Sequence, residues 1–204
     1  MSETMTDHGH AVGLDQIADE LRGIDKVVVA THLNPDGDAI GSAHALELVL
    51  AALDKDVVVY VPDAVVPGEY EFVRPTRLVD EIPEDIEDRV LVCVDCGNAS
   101  RVKSDELLAR ARRVFNIDHH GDNTHFGDLN HVRATASCAA QLVYELAGHL
   151  GVTVDRDIAT AVYVGLVTDT GRFELTDLPL GLLRLRLEPH DATRPAFATP
   201  TFEI

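Results

Sequence analysis

Lys26-Val-Val-Val-Ala-Thr31-His32-Leu-Asn-Pro35-Asp36-Gly37-Asp38-Ala-Ile-Gly41-Ser42 decides the fold. Its first part is a short β-branched run, of strand length and flanked by polar residues, which reads as a buried strand over Lys26 to Thr31. Pro35 and Gly37 then force a turn. Gly41 to Leu53 is almost entirely helix formers, so the unit is strand, turn, helix. The same grammar recurs along the chain. Strands are predicted over Asp56 to Val61, Arg89 to Asp95 and Val114 to Asp118. Helices are predicted over Ser104 to Arg113, Ala136 to Leu150 and Asp155 to Val167. Strands alternating with helices form βαβ units, so the fold class is α/β, a mainly parallel sheet with helices on both faces.

Outside that frame, Leu14 to Gly23 has apolar residues at 14, 17, 18 and 21, an amphipathic helix ended by glycine. Pro62 to Pro83 is turn-rich, and Phe126 to Val132 holds a short strand. Residues 1–13 are polar, without the apolar stretch of a secretory signal, and are expected to be a disordered tail. The domain then runs over 14–177. After Asp177 the composition changes. The acidic excess stops, prolines cluster, and 178–204 reads as an atypical tail, with a strand in Gly-Leu-Leu-Arg-Leu-Arg-Leu187.

The 204 residues carry 35 acids against 17 bases, a net charge of −18. That excludes a basic groove gripping long nucleic acid non-specifically. It suits a salt-rich cytoplasm, where self-repulsion is screened, and it does not exclude a cationic site, because bound metal ions dominate their own surroundings. Hydrophobic residues make up 46%, enough for a core. No apolar run approaches the roughly 18 residues of a membrane span. The three cysteines fit a reducing compartment. Cys93-Val-Asp-Cys96 has C-x-x-C spacing, but it flanks Asp95 at a strand end and does not open a helix, which argues against a redox motif.

Four segments carry chemistry: His32 with Asp36 and Asp38, Val94-Asp95, Asp118-His119-His120, and Thr168-Asp169-Thr170-Gly171. Most follow strand-like runs. Strands of an open α/β sheet end on one edge, where ligands bind, and carboxylates and imidazoles delivered there suit a site for two divalent cations. The turn at Pro35 and Gly37 is expected to project Asp36 and Asp38 on one side, near His32. Each residue also has a plain structural reading. Asp38 could cap the following helix, Asp95 could close an Asx-turn with Gly97 and Asn98, His119 and His120 could be a surface pair, and Asp169 a turn residue. His44, His125, His131, His149 and His190 are expected on the surface or in satisfied core positions. No G-x-S-x-G elbow, P-loop or G-x-G-x-x-G is present.

These four segments resemble the motifs of the DHH phosphoesterase superfamily, over about Val27 to Phe173. His32-Leu-Asn-Pro-Asp36-Gly-Asp38 resembles the first motif, Val94-Asp95 the second, Asp118-His119-His120 the third and Thr168-Asp169-Thr-Gly171 the fourth. Gly37 and the run from Asp118 through Asn123 to Asp128 are most similar to the bifunctional oligoribonuclease and pAp-phosphatase (nanoRNase) group. Family II pyrophosphatases and RecJ exonucleases are similar too. The resemblance implies that His32, Asp36 and Asp95 hold one Mn²⁺, and that Asp38, Asp95, His119 and Asp169 hold a second, with Asp95 shared; Mg²⁺ and Co²⁺ are alternatives. It implies that His120 faces the scissile phosphate and Asp118 orients the histidines.

The implied activity is hydrolysis of short oligoribonucleotides and 3′,5′-bisphosphonucleotides in the cytoplasm, with no membrane partner and with homodimerisation open. Relatives carry a second domain with a Gly-Gly-Gly-His segment. No adjacent glycines occur here, so a second C-terminal domain is expected to be lacking and the chain truncated or frame-altered from about Leu178, with weak turnover. A RecJ-like single-strand exonuclease and a metal-binding remnant are the competing readings.

Overall fold

A computed structural model describes residues 9–171 and the strand segments 184–187 and 200–203. In chain order the elements are β1 (His10–Ala11), α1 (Leu14–Arg22), β2 (Lys26–Ala30), α2 (Gly37–Ala51), β3 (Asp56–Tyr60), β4 (Leu78–Val79), β5 (Val90–Val94), α3 (Asp105–Arg110), β6 (Arg113–Asp118), β7 (Leu129–Val132), α4 (Ala139–Leu150), α5 (Arg156–Asp169), β8 (Arg184–Leu187) and β9 (Pro200–Glu203). Strands β1 to β7 form one sheet in the order β1-β7-β6-β5-β2-β3-β4, and every pairing in it is parallel. The last two strands pair antiparallel with each other.

Both faces of the sheet are covered, as the near-continuous apolar strands require. Val27, Val29, Val57, Val59, Val92, Phe115 and Ile117 face a large core built with α1, α2, α4 and α5. Val28, Ala30, Val58, Leu91 and Cys93 face a smaller one closed by Ile86, Val102 and Leu107, the last of these on α3. Helix α2 is buried almost all round, from Gly37 to Leu50, as expected of a helix that packs on the sheet, α4 and α5 together. Glycine permits that. A Cβ on Gly41 would stand 2.5 Å from the Ala161 carbonyl oxygen, and one on Gly165 would stand 2.5 Å from Asp38 Oδ1.

The two edges of the sheet differ in their ions. At the amino edge, the buried Arg89 bonds Asp85 and Asp56, and Lys26 Nζ lies 2.7 Å from Asp85 Oδ2. These contacts tie the starts of β2, β3 and β5 together. At the carboxyl edge the topological switch point falls between β2 and β5. There the strand order reverses: β3 and β4 lie to one side, β6, β7 and β1 to the other. A ligand site in an open α/β sheet is expected at such a point.

Several boundaries differ from the sequence expectation. Helix α2 begins at Gly37, because the Asp36 carboxylate accepts from the Asp38 and Ala39 amides, each at 3.0 Å. Helix α3 ends at Arg110, and Arg113 already belongs to β6. Helix α4 begins at Ala139 and α5 continues to Asp169. In β7 the ladder starts only at Leu129, since the Asp128 side chain takes the Val114 amide at 2.7 Å. Strand β4, within the turn-rich segment, was not anticipated. Of the expected disordered tail, His10–Ala11 is a strand paired with β7, its register held by His10 N–H on the Asp128 carbonyl and Val12 N–H on that of Asn130. Residues 1–8 lie outside the described residues. So does most of 178–204, although the expected strand over 181–187 contains β8.

Candidate metal centre

Each piece of the centre is placed by local backbone logic. Beyond Ala30 the β2 strand leaves the sheet, and the Leu33 amide bonds the Arg101 carbonyl at 3.0 Å. His32 is 4% exposed. Its Nδ1 lies 2.9 Å from its neighbour's carbonyl oxygen, that of Leu33. A ring that donates from Nδ1 presents the unprotonated Nε2 forward, the arrangement in which histidine binds a metal. That Nε2 stands 3.4 Å from Asp95 Oδ2.

Asp95 ends β5 in the left-handed region, φ 57°, a conformation in which aspartate is enriched. Its amide bonds the Ile117 carbonyl at 3.2 Å, and its carboxylate is almost fully buried. The alternative reading of Asp95, an Asx-turn with Gly97 and Asn98, has no hydrogen bond to support it among the described residues. Instead Asp95 Oδ1 has no hydrogen-bond partner among the described residues.

Asp36 and Asp38 do not work as a pair. Asp36 caps its own helix and groups with His32 and Asp95. Asp38, for which capping α2 was the plain structural alternative, is fully buried and holds another helix instead: its two oxygens accept from the Ala139 and Ala140 amides at 2.6 and 2.9 Å. These are the first amides of α4, and an N-terminus attracts a carboxylate. Asp38 groups with His119 and Asp169. His119 Nε2 sits among three carboxylates, 3.5 Å from Asp95 Oδ1 and 3.8 Å from both Asp38 Oδ2 and Asp169 Oδ2. It too is buried without a hydrogen-bond partner among the described residues.

The His120 ring lies beside that of His119, centroids 4.7 Å apart and planes 50° from parallel. Its Nδ1 bonds Asp118 Oδ1 at 2.8 Å. Asp118 therefore orients His120. A positioning network behind it was missed in the sequence. The Asn123 amide nitrogen reaches Asp118 Oδ2 at 2.6 Å, Asn116 Oδ1 at 2.8 Å and the Cys96 carbonyl at 3.1 Å. The signal for Asn116 was present, a fully buried amide inside the apolar run of β6, which must find partners. His44 pairs with Glu47 and takes no part. Cys93 and Cys96 are buried free thiols whose pKa values burial raises.

The electrostatics describe a pocket short of positive charge. Burial, and next the charge of Asp95, push Asp38 well above the carboxylate range. Burial also raises Asp169, and of the charges around it Asp95 and Asp36 add to that rise while His119 opposes it. Burial works against Asp95 as well, but its contacts with His119 and His32 hold it below its ordinary value. Burial opposes a charged His119, yet Asp95 and Asp38 prevail and push it up to about 9. A proton on His119 thus supplies the cation that the three carboxylates lack. Two orphaned, buried ligand atoms and a set of hard carboxylate and imidazole donors suit a divalent ion such as Mn²⁺. His32, Asp36 and Asp95 form one group able to hold a metal, and Asp38, His119 and Asp169 another. Asp95 also joins His119 and His120 in a third, ligand atoms within 4.8 Å in each.

A family described as DHH family, N-terminal domain, matches residues 26–166. The bifunctional oligoribonuclease and PAP phosphatase NrnA of Thermus thermophilus is 36% identical over 178 residues, covering 84% of this chain and 52% of that protein. An exopolyphosphatase-related protein from Bacteroides fragilis superposes with a TM-score of 0.67 at 27% identity, over 82% of this chain and 53% of that one. RecJ in complex with Mn²⁺, also from Thermus thermophilus, gives a TM-score of 0.52 at 23% identity, over 76% of this chain and 24% of that one, and shares the fold. The chain spans about half the length of the curated relatives it matches.

Proposed function

The chain belongs to the DHH family, and from that premise we propose that it is a Mn²⁺-dependent phosphoesterase acting in the cytoplasm on short oligoribonucleotides and on 3′,5′-bisphosphonucleotides such as pAp. The observation that carries the reading is the convergence of His32, Asp36, Asp38, Asp95, His119 and Asp169 into neighbouring groups that share Asp95 or His119. The name of the Thermus thermophilus relative supports the substrate class.

In this reading His32, Asp36 and Asp95 hold one ion, and Asp38, Asp95, His119 and Asp169 hold the other. Two such ions supply Lewis acidity and an acidified water for in-line attack on phosphorus. The chain's own groups then do the following. Asp95, buried and fixed in the left-handed region, presents one carboxylate to both groups. The α4 amides hold Asp38 so that it cannot swing away. Asp118 fixes the His120 ring, and its hydrogen bond raises the His120 pKa, which favours the protonated ring. The Nδ1–H then donates to Asp118, and Nε2–H is free to donate to a phosphoryl oxygen, where charge grows in the transition state. Asn123 holds Asp118 in turn.

The deciding experiment is hydrolysis of a 5′-labelled diribonucleotide and of pAp at high KCl, with and without Mn²⁺, with Asp95→Ala as control. Product that requires both Mn²⁺ and Asp95 is expected. A folded chain that binds Mn²⁺ and releases no product from either substrate would overturn the proposal.

A further inference from the structure

Most arginines and lysines whose side chains are described are paired. Four side chains, those of Arg101, Lys103, Arg112 and Arg156, have no ion-pair or hydrogen-bond partner among the described residues. Arg112 precedes β6, so it lies at the amino edge. Arg156 opens α5, whose far end carries Asp169; at 1.5 Å per residue those ends are about 20 Å apart. Arg101 and Lys103 are different. They sit on the short turn of 3-10 helix Ala99–Val102 and its cap, a few residues beyond Asp95 at the carboxyl edge. Both are exposed. In a chain of net charge −18, two unpaired cations at the rim of an acidic centre are unexplained by stability.

Their placement is fixed. The Arg101 carbonyl accepts from the Leu33 amide at 3.0 Å, which ties this turn to the loop bearing His32. Val102, between the two cations, is fully buried among Cys96 and Leu107 and anchors the turn. Lys103 is left-handed, φ 57°, a conformation uncommon for lysine. Lys103 also lines a cavity of about 310 Å³ whose wall includes Leu33, Tyr60, Pro62, Asp63 and Asp80, so there is room beside the His32 group. The charge of Arg101 is felt at His32 and at Cys96.

We infer that Arg101 and Lys103 bind a second, non-scissile phosphate of the substrate, beside the group formed by His32, Asp36 and Asp95. The inference rests on the phosphoesterase reading above. A guanidinium and an ammonium offer several donors to one phosphate, and such charge-assisted bonds are among the stronger ones. Asp63 and Asp80 repel an anion, so the phosphate stays at the cationic rim, and their carboxylates are left to accept from sugar hydroxyls. The pair would thereby select substrates that carry more than one phosphate over those with the scissile one alone.

The test compares ApA with pApA and ApAp, which add a terminal phosphate at either end, on the full chain in Mn²⁺. For the wild type, one added phosphate is expected to raise kcat/KM about tenfold or more. In R101Q/K103Q the gain should fall below about twofold, with turnover of ApA and the thermal midpoint unchanged, and Arg101→Lys should retain part of it. No gain at either end in the wild type, or a gain that survives the double variant, overturns the inference. If the wild type hydrolyses neither these three nor pAp, the phosphoesterase reading fails. The same undegraded ligands, titrated by calorimetry in Mn²⁺, then decide the inference alone. Preference for pApA or ApAp that R101Q/K103Q loses supports it, and equal binding of all three overturns it.

Discussion

The amino and carboxyl edges of the one sheet handle charge in opposite ways. At the amino edge every acid of the cluster meets a base: Asp56 and Asp85 meet Arg89, and Asp85 meets Lys26. At the carboxyl edge acid meets acid. Asp38, Asp95 and Asp169 converge on His119 Nε2 with no arginine or lysine among them. The first arrangement is complete in itself and holds strand starts together. The second is complete only when a cation is supplied, and that incompleteness is what makes it a site.

The largest expected effect follows directly. Mn²⁺ at a hundredfold excess over its Kd should stabilise the chain by about 2.7 kcal/mol through linkage, read as a rise in thermal midpoint that EDTA reverses. The pH dependence fixes the sign. His119 has its folded pKa raised from 6.5 to about 9, so the metal-free fold holds an extra proton between those values. Its contribution is fully present below about pH 6.5 and is lost as pH rises towards 9. Asp38, also raised, acts in the same direction from lower pH. A metal needs both groups deprotonated. Over this window metal-free stability should therefore fall while the increment from Mn²⁺ grows. An increment that is flat from pH 6.5 to 9 would mean that the ion does not displace the His119 proton.

Next in size is a break at the other edge. Arg89→Met leaves Asp56 and Asp85 without their buried partner. Loss of one member of a fully buried pair costs about 3–5 kcal/mol, but these carboxylates are 39% and 34% exposed, and solvent screening reduces that. We expect about 2 kcal/mol in urea denaturation, with the Mn²⁺ increment untouched. A variant that lost Mn²⁺ binding as well would show that the two edges are not independent.

How much of this contrast was legible in the sequence depends on the range of the interactions. Strand Lys26–Ala30 and the βαβ alternation were readable because apolar periodicity is local, and His32, Asp95, His119 and His120 stood out because each follows a strand. Asp38 was readable as a ligand, with capping of α2 as its plain alternative, but what holds it in place was not. Only Gly37 separates it from the true cap, Asp36, and what fixes its role is the α4 N-terminus about a hundred residues away. The Asn116–Asn123 support and the ion cluster of Arg89 were unread for the same reason, since each joins segments that only the sheet brings together.

A smaller effect should have the opposite sign at the carboxyl edge. Among the described residues no hydrogen bond holds Asp169 in place, and burial, then the carboxylates of Asp95 and Asp36, oppose its ionisation more than His119 favours it. Asp169→Asn removes that repulsion. The metal-free chain should become more stable by about 0.5 kcal/mol, the scale of a surface substitution, while Mn²⁺ affinity falls. Denaturation in EDTA and a Mn²⁺ titration separate the two. Destabilisation in EDTA would mean that Asp169 has a structural duty, and the contrast between the edges would be weaker than drawn.

A change that should be near zero for serine divides the two tasks of one residue. Asp36 caps α2 through the Asp38 and Ala39 amides and contributes to the His32 group. Serine caps a helix about as well as aspartate, but a neutral hydroxyl is a poorer ligand for a hard divalent ion than a carboxylate. Asp36→Ser should hold stability in EDTA within about 0.5 kcal/mol of the wild type, and Asp36→Ala, which loses the cap, should cost about 1 kcal/mol. Both should weaken Mn²⁺ binding alike, because both lack the carboxylate. Calorimetry would then show one class of Mn²⁺ site lost in each, against a difference between them in stability alone. If Asp36→Ser keeps wild-type Mn²⁺ binding, Asp36 is only a cap, and the His32 group does not hold an ion through it.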